Sequence, residues 1–258
     1  MLARFSSFSW DKTYLSNSKT TSTITLFVLA FLLCCSANSA LAKKRRTVLT
    51  GRAAVVIDER LAALRDAPLL SATLLQRMSR GRAVAITGMK RSNDGVTFYR
   101  VSVTRRTGGW VQAEALAAPN RAGEDERLLR LIRASEDFER IARARIFLDI
   151  FPRSPLRPQV LLLFGEAAEA AAMKLSREAE RRLDEQEIEA GGAPAFTYFM
   201  NYAGLDRYRR QGVAFTFDRA TKQFHYDGES FREILRNYPR STEAARAREL
   251  LNNLRARM

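Results

Sequence analysis

The chain reads as two structural classes in succession: a small all-β barrel, then an all-α helical array with a small inserted β-hairpin. Three observations predict this. Short β-branched and aromatic runs, separated by turn residues, occupy residues 48–118. Apolar residues at i, i+3, i+4 and i+7 spacing dominate from residue 126 onward. Phe151-Pro152-Arg153-Ser154 also returns as Tyr238-Pro239-Arg240-Ser241, each copy between two helix-period segments. Such a recurring junction marks helical hairpins set side by side, an architecture that presents binding surfaces.

Ahead of both parts lies an export signal. Residues 24–35 form an apolar run of 12, short for a bilayer span but suited to a signal-peptide core. Arg4, Lys12 and Lys19 precede it, and Ala40-Leu41-Ala42 supplies a small-x-small cleavage pattern. The expectation is a signal peptide over 1–42, cleavage near Ala42, a basic linker over 43–47 and a periplasmic or extracytoplasmic mature chain. Lys43-Lys44-Arg45-Arg46 opposes translocation, so an uncleaved membrane anchor is the alternative. Asp11 and the long stretch before the apolar run leave the start at Met1 or further downstream. Cys34 and Cys35 both fall in the signal, so the mature chain needs no disulfide, and with the apolar run removed it is expected to hold no stable membrane span.

The chain carries 43 basic and 28 acidic residues, and 40 against 27 after the signal is removed. That excess favours anionic partners such as phospholipid head groups, acidic wall polymers or nucleic acid, the last made unlikely by export. Arginine supplies 36 of the 43, which is equally what a compositional bias with solvated helix faces would look like.

In the β segment, Ala53–Ile57, Ala83–Ile86 and Val96–Val103 read as strands. Ser92-Asn93-Asp94-Gly95 places Asp-Gly where a hairpin reversal needs positive φ. Thr107-Gly108-Gly109 breaks the chain before Trp110-Val111. Leu61-Ala62-Ala63-Leu64-Arg65-Asp66-Ala67-Pro68, the later Arg80-Gly81-Arg82-Ala83-Val84 and the closing Gly109-Trp110-Val111 resemble the bacterial SH3 domain. That family shows Leu-Asn-Val-Arg-Ser-Gly-Pro, a Gly before a strand and a final Gly-Trp-Val. Ala62-Ala63-Leu64 and Asp66-Ala67 depart from it. The resemblance implies a small barrel and, because relatives often bind peptidoglycan, a wall-binding module.

Residues 119–125 read as a linker. Leu128, Leu129 and Ile132, then Phe138, Ile141, Ala142, Ala144 and Phe147, give helical faces that Pro152 ends. Ser154 is placed to cap the next helix, and Pro155 or Pro158 fits its first turn. Val160–Glu189 reads as one long or tightly bent helix with an Ala-rich packing face. Phe151-Pro-Arg-Ser through Gly165, with Phe231 through Ala244, resembles the tetratricopeptide repeats of bacterial envelope proteins, which implies protein or peptide binding. The junctions lie 87 residues apart, more than two repeats, so an insertion at about 190–228 separates them. Within it Val213–Asp218 and Gln223–Tyr226 read as a hairpin.

Chemistry is thinly represented. His225 is the one histidine, read as a structural residue of the hairpin, and no Gly-x-Ser-x-Gly elbow or phosphate-binding Gly loop occurs. With no mature cysteine, Cys nucleophiles and Cys/His zinc sites fall away, and neither cofactor, metal nor catalytic set is expected. Asp206, Asp218 and Asp227 are the carboxylates a cryptic hydrolase would use. Candidate ligand contacts are Tyr99, Arg100 and Trp110 in the β part, and Arg207, Tyr208 and Arg210 in the insertion. Core packing is the competing role for Trp110 and for the Tyr198, Phe199, Tyr202 and Tyr208 cluster. The expected function is an exported non-catalytic scaffold that binds an envelope protein or peptide through its helices. Wall binding through the β part is the alternative, and a hydrolase is third.

Overall fold

The computed structural model describes residues 53–257, so the expected signal peptide and basic linker lie outside the described residues. A sheet-rich part, 53–118, precedes a helical part, as expected. Its strands are β1 (Ala53–Val56), β2 (Ala63–Arg65), β3 (Leu74–Arg77), β4 (Ala83–Arg91), β5 (Thr97–Ser102), β6 (Gly108–Gln112) and β7 (Leu116–Ala117). They make one sheet in the order β3-β2-β6-β5-β4-β1-β7. Among the described residues β3 and β7 do not pair with each other, so the expected barrel does not close. Closure needs two edge strands that meet in register. Here one edge, β7, is two residues long and leads directly into the helical part, while β3 hangs beyond a register shift at Leu64/Arg65. The Asp94-Gly95 reversal forms as read: Gly95 has φ +82°, and the Asp94 carboxylate accepts from Ser92 Oγ and the Val96 N–H.

The helical part comprises α1 (Glu124–Arg133), α2 (Asp137–Ile150), α3 (Arg157–Arg182), α4 (Glu185–Gly191), α5 (Ala195–Met200), α6 (Asp206–Arg209), α7 (Glu229–Asn237) and α8 (Glu243–Arg257). A hairpin of β8 (Phe215–Asp218) and β9 (Gln223–Tyr226) sits between α6 and α7, with Phe215 opposite Tyr226. Acids in the first turn of α1 and arginines in its last match the helix dipole. The long or tightly bent helix expected over Val160–Glu189 is two helices joined at a bend. Leu183 turns extended at φ −94°, ψ 104°, and the Asp184 carboxylate caps α4 by accepting from the Gln186 and Glu187 N–H groups at 2.8 and 3.2 Å.

The repeated junctions close in the same way. The Phe151 N–H donates to the Phe147 carbonyl, Ser154 N–H to Phe151, and Arg157 N–H to Ser154. In the second copy Tyr238 N–H donates to Ile234, Ser241 N–H to Tyr238, and Ala244 N–H to Ser241. The two aromatic residues carry similar backbone angles, φ −117°, ψ 58° and φ −135°, ψ 47°. One local sequence thus makes one turn twice, folding α2 onto α3 and α7 onto α8. Ser154 is not the helix cap expected of it. Its hydroxyl accepts the Leu156 N–H at 3.2 Å and donates to Asp125 at 2.7 Å, tying the turn to α1.

α3 is the central element, packing on α2, α7, β9 and α8. Its contact with α7 is close because residue 165 is glycine. A Cβ there would lie 2.5 Å from Ser230 Oγ and 2.6 Å from Phe231 Cζ. The short hairpin would be marginal alone. α3 holds it through side chains: the Phe224 N–H donates to Ser176 Oγ at 2.8 Å and the Tyr226 N–H to Glu169 Oε2 at 2.9 Å.

Sheet and helices share a core rather than joining through a loose tether. Val55, Ile57 and Ala117 belong to the same buried cluster as Leu128, Ile141 and Phe147. The segment expected as a linker is a tight turn, with the Arg121 N–H on the Ala118 carbonyl and Glu124 already buried. Beneath it Arg143, 5% exposed, reaches from α2 to the sheet. Its Nη1 donates to Ser135 Oγ at 2.6 Å and its Nη2 lies 3.6 Å from Asp58 and 3.4 Å from Glu139. Arg80 closes the network on Glu139 at 2.7 Å.

Candidate functional site

Two surfaces stand out, one in each part. In the helical part a groove of about 270 Å³ runs between α3 and α8. Glu166, Glu169, Ala170 and Met173 follow i, i+3, i+4, i+7 spacing and so share one face of α3. Arg246, Leu250, Asn253 and Leu254 form the α8 wall, with Phe231 of α7 at the base. Met173 is 43% exposed, unusual for a large apolar side chain in a helical interface. Arg246 lies 3.6 Å from Glu166 across the opening and also pairs with Glu249 at 2.9 Å. The volume is below the ~300–1,000 Å³ of pockets that enclose a drug-sized molecule. It suits side chains projecting from a larger partner.

Residues lining the groove also tie neighbouring elements together. Glu169 holds β9 through the Tyr226 N–H, and its other oxygen lies 3.5 Å from Nδ1 of His225. His225 is 3% exposed in β9. The Tyr226 hydroxyl accepts the Ser230 N–H at 2.7 Å, and burial pushes its pKa up to about 12. These groups hold the hairpin and the start of α7 against α3.

In the sheet, register sets up a row on one face. Leu74 pairs with Arg65, Arg65 with Trp110, and Trp110 with Arg100. Directly opposed residues of neighbouring strands project to the same side. Trp110 is half-buried between two arginines, and Arg100 and Leu74 are exposed. The neighbouring pair Tyr99 and Val111 faces the other way and is buried.

Of the residues singled out in sequence, Arg100 and Trp110 are therefore brought together on an outer face. Tyr99 is not with them. It is 7% exposed, its hydroxyl accepts from Arg121, and a strand residue next to Arg100 must face the core. Tyr208 is not exposed either: at 1% exposure its ring is core, edge-on to Phe138 at 5.3 Å and to Phe215 at 6.0 Å. Arg207 covers that ring from outside, 4.7 Å from its centroid, and bonds its hydroxyl at 2.9 Å. Arg210 is exposed nearby. The insertion's aromatic cluster thus packs as a core: Phe199, Tyr202 and Tyr208 are all buried.

The three aspartates of the hydrolase reading each serve their own turn. Asp218 accepts from Thr221 Oγ1 and, to a lesser degree, the Ala220 N–H, which hold its pKa below the ordinary carboxylate value. Asp227 accepts the Glu229 N–H and pairs with Arg232 at 3.2 Å, while Asp206 lies 3.6 Å from Arg209. Among the described residues no group of three or more His, Cys, Asp or Glu is arranged to hold a metal ion. No helix among them is long and apolar enough to cross a membrane.

Sequence reasoning missed the groove, because its two walls lie about 80 residues apart and only tertiary packing brings them together. Met173 after the Ala170-Ala171-Ala172 run was the one signal in the sequence. No protein family, curated protein or solved structure matches the chain.

Proposed function

We propose that this chain is an exported, non-catalytic scaffold of the cell envelope whose helical half binds a segment of another protein. The observation that carries the reading is the α3–α8 groove. Met173, Leu250 and Leu254 offer apolar contact, and Glu166 with Arg246 supplies polar ends that fix a guest's orientation. Its size matches anchor side chains of a bound peptide rather than an enclosed small substrate. The paired junctions support the resemblance to envelope tetratricopeptide repeats, which bind partners along such helical faces.

The test is site-specific photo-crosslinking in envelope extract. A crosslinking residue replacing Met173 is expected to capture one discrete partner, and a crosslinker at exposed Arg153 is not. Leu250→Lys in the Met173-labelled chain should abolish the product without changing the far-ultraviolet circular dichroism. Equal capture from both positions, or capture that survives Leu250→Lys, overturns the groove as the binding element.

A further inference from the structure

Among the described residues six large apolar side chains are conspicuously exposed, and four of them are Leu69, Leu70, Leu74 and Leu75. All four lie on the β2–β3 hairpin, each 45–50% exposed. The hairpin's residues 67–76 contain no charged side chain, while Arg65 and Arg77 flank them. We infer that this hairpin and the adjoining Arg65–Trp110–Arg100 row form a peripheral docking face for an anionic phospholipid bilayer.

The argument is one of matching chemistry. Leucines at a loop tip gain by entering the boundary between head groups and acyl chains, a depth of about 5–10 Å. Trp favours that same interfacial layer, and Arg meets phosphate above it. All three types occur here in sequence across the sheet: Leu74, then Arg65, then Trp110, then Arg100. The residues of 53–118 include ten basic and five acidic side chains, so the field over this part is attractive to anionic head groups. Asp66 at the hairpin's base is the one acid beside the leucines.

Backbone bonding lowers the cost of insertion. Within the loop, Leu69 N–H donates to the Ala67 carbonyl, Ala72 N–H to Leu69, and Asp66 N–H to Thr73. Arg65 Nη1 donates to the Ala72 carbonyl at 2.7 Å, tying the loop to the flanking cation. Tip groups that are already hydrogen-bonded lose less when water is displaced. β3 is an edge strand, so Leu74 and Leu75, which point to opposite sides, can both meet lipid. A wall polymer of sugars and short peptides would satisfy the arginines and leave the four leucines in water, which is why lipid is the better fit.

The test reads the hairpin itself, because the apolar run at 24–35 in the same chain has its own affinity for vesicles. In the full chain with Cys34→Ser and Cys35→Ser, an environment-sensitive fluorophore is attached at Leu70→Cys, or at Arg248→Cys on α8 as control. Phosphatidylglycerol vesicles are expected to blue-shift the label at 70 and not at 248. Phosphatidylcholine vesicles should leave both unshifted. Leu69→Ser with Leu74→Ser and Leu75→Ser should raise the vesicle concentration for half the shift by at least about tenfold. Arg100→Gln should raise it about fivefold at low salt. An unshifted label at 70, an equal shift at 248, an equal shift with phosphatidylcholine, or a shift produced only by purified wall material each overturns the proposal.

Discussion

Substituting Gly165 with alanine separates two opposed effects by sign. In an open helix interior alanine is better than glycine by about 0.8–1 kcal/mol. At this position the added methyl would lie 2.5 Å from Ser230 Oγ and 2.6 Å from Phe231 Cζ, well inside van der Waals contact. Ser230 can turn its hydroxyl away. The Phe231 ring cannot, being 1% exposed and edge-on to Tyr226 at 5.9 Å. Forcing a methyl into a packed core costs about 1–3 kcal/mol, so once the propensity gain is subtracted a net loss of roughly 0–2 kcal/mol is expected. For a unit of this size that lowers the thermal midpoint by up to about 8 °C. Far-ultraviolet circular dichroism melts of wild type, Gly165→Ala, Phe231→Leu and the double variant measure it. The double variant should recover part of the loss, with a coupling of at least ~0.5 kcal/mol, because the smaller side chain makes room. A midpoint that rises with Gly165→Ala, or strictly additive losses, would refute the close approach of α3 to α7. Since Phe231 also forms the base of the groove, the same substitution should weaken crosslinking at Met173.

Ser176→Ala leaves the Phe224 N–H without its acceptor in a buried setting; about 1–3 kcal/mol is expected, with faster hydrogen exchange at that amide. Unchanged protection at Phe224 would remove Ser176 from the hairpin's support. Arg143→Met removes the bond to Ser135 and the cation between Asp58 and Glu139. Arg60 still bonds Asp58 at 2.6 Å, so a loss of about 1–3 kcal/mol in urea denaturation is expected rather than that of a fully orphaned buried charge. No change would mean that the network does not hold sheet to helices. Acidification tests the same network. Hydrogen bonding from Arg60, aided by the charges of Arg60 and Arg143, holds the Asp58 carboxyl below its ordinary 3.8. A depressed pKa contributes stability above the unfolded value and loses it as the pH falls below about 4 through the folded value. Asp58→Asn should therefore flatten the acid limb of the stability profile, and an unaltered limb would assign acid sensitivity elsewhere.

Local chemistry was the readable part of this molecule. Asp94-Gly95 made its turn because glycine accepts φ +82° wherever the neighbours lie. The two aromatic-Pro-Arg-Ser junctions made matching turns because proline bars helix continuation and a fixed set of nearby carbonyls receives the next N–H groups. The bend at Leu183 was one of two readings that the sequence left open, because the apolar spacing runs on through Asp184 although that residue can cap a helix. The burial of Tyr99 and Tyr208 is not legible in sequence, because an aromatic with a polar tip reads alike inside and outside. Register buried one, and packing against Phe138 and Phe215 buried the other.

By itself the sequence determined what depends on neighbours a few residues apart: the order of sheet before helices, the hairpin at 215–226 and the doubled turn. Tertiary structure alone decided that the sheet stays open, that Arg143 fastens it to α2, and that Glu166 and Arg246 face each other across a groove. The physical reason is range. Turns and caps are settled by bonds within one or two helical turns, whereas strand closure and groove walls depend on where packing brings distant residues to rest, and periodicity carries no such information.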